Sequence, residues 1–292
     1  MVAWTIATVE GTPAGVILDA GDLERAAVRL LADPGDRVAE VSLVVERYWS
    51  VRWDLAADGP GFTSSLIPEL SVNLTHEQGS RRAGSEGGVV LTGPTTRRFD
   101  AALVGRGAVV GIKLHPGAFT AITGTSAAVL TDRTVPAAEH LPGDLVAAVH
   151  RAASAPLLEQ VDLLEEAATS LVPDDPPEGY RRARRLLAAL RDPAITRVEQ
   201  LAHREGIGIR SLQREFRHWI GIGPKQVLTR MRLQDVAADL AGPPQDLAAL
   251  AVRLGFYDQA HLTREFSRFV GVSPARYAAR QVGRRPAGQA AR

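Results

Sequence analysis

The hydrophobic positions of this 292-residue chain change their period about halfway along. From about Val38 to Leu114, short β-rich runs alternate with glycine and proline: V-S-L-V-V-E-R-Y-W, L-S-V-N-L-T, G-G-V-V-L-T-G-P and G-A-V-V-G-I-K-L. That spacing predicts a small antiparallel sandwich or barrel. From Leu145 to Leu171 the period lengthens to that of a helix, with Leu157, Val161, Leu164, Ala168 and Leu171 three or four residues apart. The stretch L-V-P-D-D-P-P-E-G, Leu171 to Gly179, then suits neither a helix interior nor a central strand. Beyond it every segment reads as helix. One helix is predicted from Ile209 to Ile220, and a longer one from Pro224 to near Leu240, stopped by Gly242-Pro243-Pro244. Asp246 caps the next, and Asp258 leads the last major helix toward Val270. The predicted fold class is α+β: a mostly antiparallel β domain with helices over 1–175, an all-α domain over 176–285, and a disordered tail over 286–292.

The helical part contains a repeat. L-Q-R-E-F-R-H-W-I-G-I-G-P, Leu212 to Pro224, returns as L-T-R-E-F-S-R-F-V-G-V-S-P, Leu262 to Pro274. Ala202 and Gly206 match Ala251 and Gly255 at an offset of 49, whereas the longer stretches match at 50, so the second copy has one extra residue in its turn. Each copy reads as helix, glycine turn, helix, the arrangement in which one helix braces and the next enters a major groove. In the first reading helix Ile209, Leu212, Phe216 and Trp219 form the apolar stripe, leaving Arg210, Gln213, Arg214 and Arg217 off it. In the second, Leu262, Phe266 and Phe269 form the stripe, and His261, Thr263, Arg264 and Arg268 lie off it. Arginine forks suit guanine edges and phosphate oxygens. The alternative is a helical scaffold in which the adjacent Arg–Glu residues are ion pairs within each repeat. A linker from Pro224 to Leu240 would be roughly 25 Å long at 1.5 Å per residue. It could hold two readers near successive groove openings about 34 Å apart.

Charge divides the chain in the same place. Residues 181–292 hold 21 Lys+Arg and 9 Asp+Glu, a balance of +12; the remaining 13 basic and 24 acidic residues give −11, hidden in a net charge of +1. A basic module that meets a polyanion, joined to an acidic one with another task, fits this division. The composition, 45% hydrophobic and 23% charged, is that of an ordinary globular protein. Zero cysteines exclude disulfides, thiolate catalysis and cysteine-ligated metals. No run of eighteen uncharged apolar residues suggests a membrane span. Glu10 and Asp19, with no basic start, argue against a secretory signal, so a cytoplasmic location is expected.

The C-terminal region resembles the DNA-binding domain of the AraC/XylS transcription regulators. The likeness is carried by L-A-H-R-E-G-I, by the first repeat, by M-R-L-Q-D-V-A-A-D-L, and by L-A-V-R-L-G-F-Y-D-Q-A-H-L-T-R-E-F-S-R-F-V-G-V-S-P-A-R-Y. It covers about 95 residues, a third of the chain. The resemblance implies two helix-turn-helix units joined by a linker helix and binding double-stranded promoter DNA. It places Ile209, Arg210, Ser211, Gln213, Arg214 and Arg217 on the first reading helix. Asp258, Gln259, His261, Thr263, Arg264 and Arg268 would sit on or beside the second. Ala260 stands where the family often has serine, and Gly223-Pro224 where it has Ser-Pro; neither departure threatens the fold.

The acidic half is less informative. G-P-T-T-R-R-F at Gly93 to Phe99 and G-I-K-L-H-P-G-A-F at Gly111 to Phe119 resemble an N-terminal domain of actinobacterial members of that family, over roughly 38–140. The resemblance implies sensing of a small molecule or dimerisation. Trp49 and Trp53, flanking Arg52, could wall a pocket or pack a core. Arg97 and Arg98, beside Thr95 and Thr96, could face an anionic effector or sit in a solvated turn. His76 and His115 lack metal-ligand spacing, and no nucleophile or phosphate-loop motif occurs. No enzyme activity, metal or cofactor is therefore expected. A second copy of the chain, RNA polymerase and a small-molecule effector are the further candidate partners, with no membrane partner. Competing readings are a sequence-blind nucleoid protein and an enzyme with a basic targeting domain.

Overall fold

Strand β7, Phe99–Leu114, is the spine of the N-terminal half in this computed structural model, which describes residues 5–6, 27–32, 40–55, 62–66, 69–81 and 88–282. The expected tail over 286–292 lies outside the described residues. The other strands are β1 (Thr5–Ile6), β2 (Ala27–Ala32), β3 (Val45–Asp54), β4 (Phe62–Leu66), β5 (Asn73–Arg81), β6 (Gly88–Thr92) and β8 (Thr134–Pro136). They form one antiparallel sheet in the order β1-β2-β3-β7-β5-β6-β8, with β4 paired to the start of β7. The antiparallel expectation holds. Among the described residues the ladder is an open path from β1 to β8 rather than a closed barrel.

Register decides which side chains share a face, because successive strand residues point to opposite sides. Tyr48 pairs with Ile112, which pairs with Leu74; all three are buried under α2 (Gly143–Ser154) and α3 (Leu157–Thr169). These helices cover the sheet with Leu145, Val149 and Ala152 from α2 and Val161, Leu164 and Ala168 from α3. The helical period predicted from Leu145 to Leu171 is thus split at Pro156, which precedes the first turn of α3 and cannot donate to a continuing helix. The short α1 (Ala118–Thr123) and the turn Ala127–Leu130 close the end of this core with Phe119 and Leu130.

Two histidines make this packing sensitive to acid. His76 on β5 lies edge-on to His150 on α2, with ring centroids 4.8 Å apart. Burial, and secondarily the charge of His150, hold His76 below its ordinary value. His115 is lowered by burial and then by the Arg184 guanidinium. Below an unfolded value of about 6.5 the unfolded chain takes up protons that the folded one refuses. Stability is therefore complete above that pH and is lost as pH falls through it. The thermal midpoint is expected to drop between pH 7.5 and 5.5, and to drop less for His76→Gln combined with His115→Gln; parallel curves for the two proteins would refute the assignment.

The C-terminal half is all helix: α4 (Glu178–Ala189), α5 (Val198–Arg204), α6 (Ile209–Ile220), α7 (Pro224–Ala241), α8 (Leu247–Arg253), α9 (Gln259–Val270) and α10 (Pro274–Val282). Helix α7 serves two cores. Val227 and Leu228 from its first turns join Leu201, Leu212 and Phe216, whereas Leu233, Val236, Ala237 and Leu240 join Leu250, Leu262 and Phe266. Among the described residues no helix is long and apolar enough to cross a membrane.

Candidate nucleic-acid interface

The two helical hairpins are α5–α6 and α8–α9. In each, the apolar side of the second helix is buried: Leu212, Phe216 and Ile220 in α6, and Leu262, Phe266, Phe269 and Val270 in α9. Ala202 and Ala251, both buried, let the bracing helix cross close to the reader. The turns hold Gly206 at φ 64° and Gly255 at φ 73°, a left-handed conformation that a side chain resists. Four residues separate α5 from α6 and five separate α8 from α9, so the extra residue falls in the second turn. There it accommodates Asp258, whose carboxylate accepts from the His261 N–H at 2.6 Å and caps α9. Asp246 likewise caps α8 by accepting from the Ala248 N–H.

The polar residues of both readers lie on the outer side. Arg210, Gln213, Arg214 and Arg217 are exposed on α6, with Ile209 and Ser211 half-buried at its start. Asp258, Gln259, Arg264 and Arg268 are exposed at α9, with His261 and Thr263 half-buried. Glu215 pairs with Arg182 of α4, and Glu265 lies 3.7 Å from Arg268. Among the described residues, Arg210, Arg214, Arg217 and Arg264 therefore form no ion pair, and their charge faces solvent. Absent from the sequence reading is Tyr257, 90% exposed, directly before the cap of α9. Its aromatic character beside the cap was the available signal.

The first reader is fastened to the N-terminal half. Thr120 Oγ1 and Ser126 Oγ both donate to the His218 carbonyl at 3.2 Å, and Thr131 Oγ1 donates to the Gly221 carbonyl at 2.8 Å. These are carbonyls that a helix end leaves without partners. Trp219 is only half-buried and packs beside Tyr180, while Ile220 completes the hairpin core. Tyr180 of α4 sits in the sheet core and donates to the Leu43 carbonyl at 2.7 Å; burial pushes its hydroxyl up to about 12. Arg230, 4% exposed on α7, donates to the Thr95 carbonyl in the loop between β6 and β7. None of these ties had a sequence signature.

The four effector candidates fall in two places. Trp49 and Trp53 share the sheet face opposite Tyr48; the Trp49 indole donates to Asn73 Oδ1 and the Trp53 indole to the Val104 carbonyl. Trp53 lies over Gly107, where any Cβ would overlap its ring, and packs with Leu103 in a small second cluster. Arg97 and Arg98 are exposed in the loop before β7, and Arg98 lies against Gly271 at the end of α9. Among the described residues no cluster of His, Asp or Glu is suited to a metal.

An antiparallel β domain is followed by two helix-turn-helix units on a shared linker helix, an arrangement similar to that of AraC/XylS-type regulators with an N-terminal accessory domain. Residues 201–280 match the helix-turn-helix domain family, and residues 39–136 match a domain of unknown function (DUF6597). An HTH-type transcriptional regulator of Haemophilus influenzae is 32% identical over 93 residues, covering 32% of this chain and 31% of that protein. The HTH-type transcriptional regulator RipA of Corynebacterium glutamicum is 32% identical over 122 residues, 41% of this chain and 37% of RipA. An AraC-like transcription regulator of Streptomyces antibioticus is 33% identical over 88 residues, 30% of this chain and 29% of that protein. The chain thus spans about a third of the length of the curated relatives it matches. Among solved structures, apo ToxT from Vibrio cholerae aligns with a TM-score of 0.41 at 14% identity, covering 80% of this chain and 97% of that one.

Proposed function

We propose that this protein is a sequence-specific transcription regulator that acts in the cytoplasm by binding promoter DNA with both hairpins of one chain. The observation that carries the reading is the duplicated hairpin, each copy buried on one side and bearing on the other arginines that form no ion pair among the described residues, three on the first and Arg264 on the second. On this reading, charge on Arg210, Arg214, Arg217 and Arg264 supplies phosphate affinity, and Gln213, Gln259, His261 and Thr263 select bases. Residues 176–285 are the DNA-binding part on this reading, and 1–175 the sensing or dimerising part. A small-molecule effector, a second copy or RNA polymerase would then act through the ties between the sheet domain and α6. The Trp49–Trp53 face is the stronger effector wall of the two candidates, since Arg98 is already set against the second hairpin.

Selection of bound genomic fragments by the purified chain, followed by footprinting, tests this directly. Two protected major-groove segments one turn apart on one face are expected. Uniform protection without sequence preference would replace the reading with a nucleoid role, and no binding would end it. On the selected site, Arg214→Ala and Arg264→Ala are each expected to weaken binding by about 1–3 kcal/mol where the guanidinium reads a base. Where it meets a phosphate, each lowers the salt slope by about 1 instead. Titrations at several salt concentrations separate the two, and unchanged affinity at every salt would remove that arginine from the interface.

A further inference from the structure

Between the two halves of α7 stands one residue that touches both hairpins. Arg232 follows Val227 and Leu228, which belong to the first core, and precedes Leu233 and Val236, which belong to the second. Its side chain forks. Nη2 donates to the carbonyl of Thr196, in the segment entering α5, and Nη1 donates to the carbonyl of Gly255, in the turn between α8 and α9, at 3.1 Å. Both acceptors are held in place independently. The Thr196 N–H and hydroxyl both donate to Gln200 Oε1, which also takes the Arg197 N–H. Gly255 has φ 73°, and its own N–H donates to the Val252 carbonyl.

The two repeats differ at this point. A Cβ on Gly206 of the first turn would meet open space, whereas a Cβ on Gly255 would lie 3.2 Å from the Arg232 guanidinium carbon. The second turn is thus closed over by a group from the linker, and the first is not. A side chain whose donors lie in a fixed plane bridges two carbonyls at set positions and a set separation; a lysine, whose three donors rotate about one nitrogen, cannot fix that separation.

We infer that Arg232 is a positioning residue that sets the pitch between the two reading helices, and with it the spacing of the two DNA segments the chain accepts. The inference rests on the proposed DNA-reading function and adds to it a determinant that does not face the duplex. A one-base-pair insertion shifts the second segment by about 3.4 Å along the axis and turns it around the axis. A braced pair of readers cannot follow that shift, whereas a pair joined only by the helix and its apolar contacts can bend toward it.

The test uses the full chain and the best fragment from the selection above, with one base pair added or removed between the two protected segments. Wild type is expected to lose about tenfold or more in affinity for either altered spacing, comparable to one mismatched base pair. Arg232→Met, which keeps the apolar stem but donates nothing, is expected to bind the native spacing more weakly and to discriminate about twofold or less. Arg232→Lys should fall between them. Equal discrimination by all three proteins, whatever their absolute affinity, would overturn the inference. Should Arg232→Met fail to fold by circular dichroism, the lysine variant carries the comparison, and a spacing profile identical to wild type would be equally decisive against it. If wild type itself binds no preferred site, the proposed function fails; if it binds one and the variants keep its spacing preference, only the role of Arg232 fails.

Discussion

Phe266→Ala is expected to destabilise the second hairpin by about 3–5 kcal/mol and to erase half of the footprint while the other half persists. Phe266 has no exposed surface. Its ring meets Tyr277 edge-on at 5.5 Å between centroids, and it belongs to one core cluster with Leu233, Val236, Leu250, Leu262 and Phe269. That cluster holds residues from α7 to α10 and is distinct from the one containing Phe216. Truncating the ring leaves a void in a core too small to close around it, and a single hairpin has little stability to spare. The first hairpin has outside support, because Leu70 and Trp219 continue its core toward the sheet domain. Hydrogen exchange should show α8 to α10 losing protection while α5, α6 and the sheet keep theirs. A single transition in which all amides lose protection together would mean that the two cores fold as one.

Arg230→Ala is the second large effect, about 3 kcal/mol, the range for removing a buried charged hydrogen-bond donor. The guanidinium is buried against the sheet domain, donates to Thr95, and feels the carboxylates of Asp132 and Glu69. Asp132 itself accepts from the Thr96 N–H and hydroxyl at 2.5 Å, so the loop receiving Arg230 is pinned from its other side. Burial lowers Arg230 to about 10. The charge is present at neutral pH in both folded and unfolded chains, so this group gives no pH dependence there. Because the folded value is the lower one, its penalty is relieved only as pH rises through the alkaline window above that value. Arg230→Met keeps the stem and removes the desolvation cost, so about 1 kcal/mol is expected. Denaturant midpoints measure both, and equal losses for the two variants would assign the whole effect to the bond with Thr95.

Local signals were the ones the sequence made legible. The period of Leu212 and Phe216 placed α6 at Ile209–Ile220, as observed. Asp246 reads as a cap and Asp258 as the residue leading the last major helix, because a short carboxylate before an apolar run can satisfy nearby N–H groups, and both accept one. The offset change from 49 to 50 located the longer turn. What escaped was long-range and polar. Thr120 and His218 are 98 residues apart, and a threonine that donates to a distant carbonyl looks like any surface threonine. Arg230 and Arg232 counted toward the +12 balance as if all basic residues faced DNA, whereas one is buried and the other braces two carbonyls. Charge counts cannot distinguish an arginine offered to a polyanion from one consumed inside the protein. Trp219 fits the apolar stripe by spacing, yet it packs against the sheet-domain core as well as the hairpin core.

The three hydroxyls of Thr120, Ser126 and Thr131 give the first reading helix an ending that its own sequence does not supply in full. This bears on modularity. The double hairpin is cut from its partner at a proline-rich linker that invites exchange, but the junction that matters is not in the linker. A chimera grafting a foreign N-terminal domain onto residues 176–285 would preserve covalent continuity and discard these contacts. Only a donor domain offering hydroxyl donors at the same three points would keep these three hydrogen bonds to the end of α6; any other would leave those carbonyls to solvent.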